Sequence, residues 1–279
     1  MNKFIKMKGL KFMKILEAVK GFFDKTGKAI RVFFSNKLRL AVFVLSIISV
    51  IAISLVSIVC FNAYVSDYYH ADLNAIKDVA GVGNPDIHEI EDGVTVFNPK
   101  NAKTGIIFYP GAKVEHVAYA PLMDALAESG ILCVLIEMPY NLAIFDVNAA
   151  DGIQDYFPEI ENWYMAGHSL GGAMAATYLD GHTNEFDGVI LLGAYSTVNI
   201  TDSRVLSIYG SFDRIMNREK YSECKKNLPK DFKEVVIQGG NHAGFAMYGH
   251  HEGDGVAEID TVEQIEQTVK AIIEFISED

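Results

Sequence analysis

The spacing of apolar residues changes three times along this chain. Over residues 3–23, lysines interleave with Phe4, Ile5, Leu10, Phe12, Met13, Ile15, Leu16, Val19, Phe22 and Phe23, several of them three or four apart. That spacing predicts an amphipathic helix suited to an anionic lipid surface. Over residues 40–66 the alternation stops and no charged residue occurs. A helix needs about 20 apolar residues to cross a hydrocarbon core, and a buried helix of a soluble domain is rarely apolar on every face for so long. The apolar core of a cleaved signal peptide is shorter, about 7–15 residues. A retained single transmembrane helix over residues 40–63 is the expectation.

The third pattern fills the rest of the chain. Residues 64–86 are mixed and read as a stalk, with a short helix at 71–79 and a breaker cluster, Gly81-Val82-Gly83-Asn84-Pro85. Residues 87–90 and 94–97 flank Glu91-Asp92-Gly93 and predict a hairpin. From residue 105 onward, short apolar runs alternate with helical spacing. Strands are predicted at 105–109, 131–138, 163–167, 189–194, 205–209 and 234–237. Helices are predicted at 118–129, 149–157, 170–179, 218–228 and 262–276. Near-continuous apolar strands alternating with helices predict an α/β domain over 87–279, with a mostly parallel sheet covered by helices on both faces. Ligands bind such folds at the carboxyl ends of the strands.

Charge sharpens this division. Across 279 residues the net charge is −12, which argues against nucleic acid as a partner. Residues 1–39 carry eleven Lys/Arg against Glu17 and Asp24, a local charge of +9, while the remainder carries −21. Arg31, Lys37 and Arg39 precede the apolar run, and Asp67, His70 and Asp72 follow it. The positive-inside tendency then places a basic cytoplasmic segment at 1–39 and residues 64–279 outside the cytoplasm. The three cysteines, Cys60, Cys133 and Cys224, have no metal-site or disulfide spacing. Neither a metal nor a cofactor is expected.

One pentapeptide carries chemistry: Gly167-His168-Ser169-Leu170-Gly171. In a chain with 23 glycines the Gly-x-Ser-x-Gly pattern alone is weak, and the serine could serve only as a helix N-cap. Its setting gives it weight, because a predicted strand ends at the motif and a predicted helix begins there, as a nucleophile elbow requires. A serine hydroxyl needs a base. His242 follows the last strand in Gly239-Gly240-Asn241-His242. His168, inside the elbow, would point away from the serine. The base needs a carboxylate to hold its tautomer. Asp213, just past strand 205–209, completes the order Ser…Asp…His, with Asp202 at the other end of that strand as the fallback. An oxyanion needs two donors: the N–H of Leu170, and that of Ala112 in Pro110-Gly111-Ala112-Lys113, with Lys113 next in line. Residues 139–145 with Phe245 and Tyr248 could wall a small pocket. His250-His251-Glu252-Gly253-Asp254 has metal-binding residue types but no metal spacing, and reads as a solvated loop.

The segments FYPGAKVE, GHSLGGAMAA, LSIYGSFD and GGNHAGF together resemble the α/β-hydrolase family, from about residue 87 to the end. They look most like a small membrane-anchored bacterial branch of it, described as hydrolases or carboxylesterases. The resemblance implies Ser169 as nucleophile, Asp213 as acid and His242 as base. Two departures stand out: Pro110-Gly111 replaces a common His-Gly pair, and only about ten residues join Ala194 to Val205, too few for the usual lid. A minimal lid favours a small acyl ester as substrate, with the membrane engaged through 40–63. An acyltransferase with the same triad, and a non-catalytic binding module, are the competing expectations.

Overall fold

The computed structural model describes residues 17, 19–29, 31–32, 35–79 and 86–278. The surface helix expected over 3–23 lies largely outside the described residues, as does the 81–85 breaker cluster. The chain divides into two units, Met1–Tyr64 and Val65–Asp279.

In the first unit residues 19–29 are helical. Helix α1, Lys37–Ser66, runs for 30 residues, about 45 Å at 1.5 Å per residue. Its mean hydropathy reaches 2.9 and its apolar stretch is wholly unburied. It is long and apolar enough to cross a membrane.

The second unit is built on an eight-stranded sheet in the order β1-β2-β4-β3-β5-β6-β7-β8. Strands β1 (Asp86–Glu91) and β2 (Val94–Asn98) form the predicted hairpin and pair antiparallel, and β2 pairs antiparallel with β4 (Leu132–Ile136). The remaining strands, β3 (Thr104–Tyr109), β5 (Asn162–His168), β6 (Gly188–Leu192), β7 (Arg204–Gly210) and β8 (Lys233–Ile237), run parallel. This is an α/β-hydrolase fold. Side chains alternate between the two faces, as the pleat requires. Ile106, Phe108, Ile190 and Leu206 join one core with Leu122, Met123, Ile265 and Ile272 from helices α3 (Ala120–Glu128) and α6 (Thr261–Ile276). Ile107, Tyr109, Leu191 and Val205 join the other with Ala175, Ala176 and Leu179 of α4 (Leu170–Gly181). The small residues of α4 let it lie close to the sheet.

Two segments differ from the sequence expectation. Residues 149–157 form turns and a 3-10 segment, Ile153–Tyr156, instead of a helix. Gly152 breaks the run at φ 76°. Upstream, the Tyr109 hydroxyl accepts the Ala150 N–H (2.9 Å) and donates to the Val147 carbonyl (2.9 Å), which fixes the turn that leads into this segment. Residues 65–79, expected within a stalk, are packed on the domain. Helix α2 (Leu73–Val79) puts Ile76 into the first core, and Tyr69 makes a parallel bridge with Val114.

Candidate active site

The site lies where β3, β5, β6, β7 and β8 end. Strand β5 stops at His168 and α4 starts at Leu170, which leaves a single residue, Ser169, to make the turn. Ser169 takes φ 53°, ψ −121°, a region that costs a non-glycine residue about 1–3 kcal/mol. Two backbone bonds hold it there: its N–H donates to Leu192 (2.9 Å) and its carbonyl accepts from Ala173 (3.2 Å). The turn is possible only because Gly171 has no side chain. A Cβ there would lie 2.1 Å from the Tyr109 carbonyl oxygen and 2.2 Å from that of Pro110. The Ser169 side chain caps nothing on α4, so the plain helix-cap role loses its support.

The residues expected as acid and base meet from two loops. His242 Nδ1 and Asp213 Oδ2 are 2.8 Å apart, with both side chains at most 1% exposed. The other Asp213 oxygen accepts the N–H groups of Ile215 (2.9 Å) and Met216 (2.8 Å). Burial pushes the Asp213 carboxyl up, but the His242 bond and charge together with those two N–H donors outweigh it, and the net direction is down. An ionised carboxylate can only accept, so His242 carries its proton on Nδ1. Its Nε2 is buried with no hydrogen-bond partner among the described residues. Gly193 ties this pair to the elbow. It follows Leu192, which holds Ser169, and a Cβ on it would lie 2.9 Å from His242 Nδ1 and 3.2 Å from Asp213 Oδ2. Asp202, the fallback acid, is exposed at the amino end of β7, away from this cluster.

The loop after β3 brings up the expected donors. Lys113 gives its N–H to Asn141 (2.7 Å) and Val114 gives its own to Gly111 (3.3 Å). The N–H groups of Ala112 and Leu170 have no acceptor among the described residues. Of the two candidates on this loop, Ala112 therefore has the available N–H. Of the five described non-glycine residues with positive φ, four belong here: Lys113, Tyr140, Asn141 and Ser169. Strain of this kind concentrates at working sites.

Beneath the elbow lies a histidine that the sequence reading set aside. His168 points away from solvent and packs against His242, with ring centroids 4.4 Å apart and planes tilted by 44°. The Tyr119 hydroxyl accepts the Gly111 N–H (3.0 Å) and sits 2.7 Å from His168 Nδ1, to which it donates. Burial, then the neighbouring His242 and His251, push the His168 imidazole well below its ordinary value, so it stays neutral. The loop that carries Ala112 and the His242 ring thus share one buried support, Tyr119–His168.

The pocket walls differ from expectation. A cavity of ≈ 360 Å³ opens beside Ser169 and is lined by Met174, Ala194, Tyr195, Thr197, Ile215 and Met216 among others. Phe245 and Tyr248 are buried in the core instead, with Phe245 against the His168 ring. Tyr140, Ile144 and Phe145 stand exposed. The loop at residues 250–254 is only partly solvated: His250, Glu252 and Gly253 are exposed, while His251 and Asp254 turn inward. Asp254, 8% exposed, accepts the N–H groups of Arg214 (3.1 Å) and Ala243 (3.0 Å) and so clamps the Asp213 loop to the His242 loop. His251 is half-buried with its ring centroid 5.7 Å from that of His242. Nothing local in sequence marks Tyr119, Asp254 or His251, because each acts on residues far along the chain. No group of metal-ligating side chains is present among the described residues.

Comparison with known proteins bears on this arrangement. A model described as the Alpha/beta hydrolase family matches residues 105–266. Among solved structures, dienelactone hydrolase from Anabaena variabilis is similar at a TM-score of 0.51 and 14% identity, covering 68% of this chain and 98% of that one. The protein TT1662 from Thermus thermophilus is similar at a TM-score of 0.50 and 14% identity, over 67% of this chain and 94% of that one. At such identity the likeness is one of fold. Comparison with curated proteins finds no sequence match.

Proposed function

The chain belongs to the alpha/beta hydrolase family, and from that membership we propose that it is a membrane-anchored serine hydrolase cleaving carboxylic esters through an acyl-enzyme on Ser169. The observation that carries this is the buried Asp213–His242 pair, whose Nε2 is left without a partner beside the strained serine turn. Ser169 Oγ attacks the ester carbonyl while His242 Nε2 takes its proton. Asp213 stabilises the imidazolium through Nδ1. The N–H groups of Ala112 and Leu170 receive the oxyanion, a role worth about 3–4 kcal/mol per donor in hydrolases of this kind. As the tetrahedral adduct collapses, His242 returns the proton to the leaving alcohol. Water then repeats the sequence on the acyl-enzyme and releases the acid.

A cavity of ≈ 360 Å³ is at the small end of ligand sites, which supports a small acyl ester as substrate. Helix α1 is proposed as a single span, with the basic segment 1–39 in the cytoplasm and the catalytic domain, residues 87–279, outside it; residues 64–86 link the two.

The test is an ester panel on the full-length chain in detergent. Short-chain p-nitrophenyl esters are expected to turn over and long-chain ones to lag. The Ser169→Ala variant is expected to lose at least about 10³-fold. Equal rates in the variant and the parent would sink the hydrolase reading. Reporter fusions at both termini test the orientation, which a cytoplasmic C-terminus would reverse.

A further inference from the structure

The six residues that follow α1 make more contacts with the site than a tether needs. Tyr69 donates its N–H to the Lys113 carbonyl (2.7 Å) and accepts the Glu115 N–H (3.0 Å). Ala71 donates its N–H to the Glu115 carboxylate (2.8 Å). The Lys113 ammonium lies 3.1 Å from Asp67. These bonds converge on the loop that carries Ala112. Lys113, its neighbour, is held at φ 58°, a conformation that relaxes unless its surroundings over-determine it. Asn141 restrains one side of Lys113, and segment 67–72 restrains the other at both carbonyl and ammonium.

The same segment reaches the base. The Tyr69 ring packs at a tilt against His251, centroids 4.6 Å apart, and against Tyr248 at 5.3 Å. Its hydroxyl accepts the Glu252 N–H (3.2 Å). His251 in turn sits edge-on to His242 at 5.7 Å, with its Nδ1 3.3 Å from the Tyr248 hydroxyl. Asp72 donates its N–H to Met247 (2.8 Å) on the same loop. One strap therefore touches both partners of the serine: the loop that presents the oxyanion donor and the loop that presents the base.

We propose that residues 67–72 are a positioning strap of the active site, with Tyr69 as its key residue, so that the segment joining the anchor to the domain also sets catalytic geometry. This rests on the hydrolase reading above. An oxyanion donor acts only if its N–H points where charge develops, and a misplacement near 1 Å costs on the order of 100-fold. Loosening the strap frees Lys113 to relax and turns the Ala112 N–H aside. It also removes the surface on which His251 packs behind the base.

The test compares full-length parent, Ser169→Ala, Tyr69→Ala, Tyr69→Phe and Glu115→Ala in detergent. Readouts are p-nitrophenyl acetate turnover, the rate of covalent labelling by a fluorophosphonate probe, and thermal melting. Tyr69→Ala is expected to lower kcat about 10–100-fold with KM within about threefold of the parent, and to slow labelling in proportion. Tyr69→Phe keeps the ring and both backbone bonds, and is expected to restore kcat to within about threefold. Glu115→Ala, which removes a carboxylate and leaves the Tyr69 ring packing in place, is expected to lower kcat in the same direction, and it decides the matter if Tyr69→Ala does not fold. Folded Tyr69→Ala or Glu115→Ala with parental kcat and labelling rate overturns the strap. A parent that neither turns over ester nor takes the label, while a control hydrolase does, removes the hydrolase reading and the strap with it.

Discussion

The serine side and the histidine side of this site are built on opposite principles. Ser169 is held by backbone: two main-chain bonds and glycines that let β3, β5 and α4 approach almost to contact. Its determinants lie within a few residues of sequence. His242 is held by side chains from distant elements: Asp213 after β7, His168 beneath it, His251 beside it, and Asp254 joining the two loops. The difference concerns how each side can fail. A backbone junction has no room to yield, so a change there is felt by fold and chemistry together. A side-chain network can lose one charge and keep its shape, so chemistry can go while fold stays.

Asp213→Asn is the strongest test of that contrast. The amide oxygen can still accept from Ile215 and Met216, but the NH₂ then faces His242 Nδ1 and moves the imidazole proton to Nε2. The base is lost to the wrong tautomer, and a fall in kcat of about 10⁴-fold is expected, near 5.5 kcal/mol of barrier. Losing charge-assisted bonds costs about 1.5–3 kcal/mol of stability, so the chain should still fold. Calorimetric melting beside p-nitrophenyl acetate kinetics separates the two quantities. A variant that unfolds, or one that keeps parental kcat, breaks the contrast.

Gly171→Ala comes next and should behave in the opposite way. The new methyl would meet two carbonyl oxygens at 2.1 and 2.2 Å, neither of which can swing aside as a side chain can. We expect a loss of about 3 kcal/mol or more in stability, with activity falling in step because the β3 loop must move. Parental melting in this variant would mean that the elbow has slack and that the two sides are not built differently.

That asymmetry also explains what the sequence made legible. The elbow, the strand–helix alternation and the order Ser169…Asp213…His242 are local features: a motif, a periodicity, and loops that follow strands. The family model covers the same stretch. The Tyr69–Glu252 bond joins residues 183 positions apart, and the Tyr119–His168 bond joins residues 49 apart. No spacing rule reaches such contacts, so residues 64–86 read as a stalk and 250–254 as a solvated loop. At 149–157 the turn leading in is pinned by Tyr109, about forty residues upstream, and Gly152 at φ 76° breaks the run. The Ala112–Lys113 choice also needed a distant partner, the Asn141 carbonyl that takes the Lys113 N–H.

The smallest effect tests the side-chain half most finely. Burial, then His242 and His251, lower the His168 pKa in the folded chain, while the unfolded chain titrates near the ordinary value of about 6.5. Above that value neither state holds the proton and His168 adds no pH dependence. Below it the unfolded chain binds a proton that the folded chain refuses, so stability falls as pH falls. Between pH 7.5 and 5.5 one such group costs on the order of 1 kcal/mol. His168→Gln removes this term and keeps an amide that can accept from the Tyr119 hydroxyl. His251, whose imidazole is also lowered by burial first and by His242 next, remains in both proteins and drops out of the comparison. Melting of the parent and the variant at the two pH values should show the parent losing more on acidification, by about 2–4 °C for a chain of this size. Equal losses would mean that His168 is protonated without penalty, and that the ring beneath His242 is not the neutral support on which the histidine side depends.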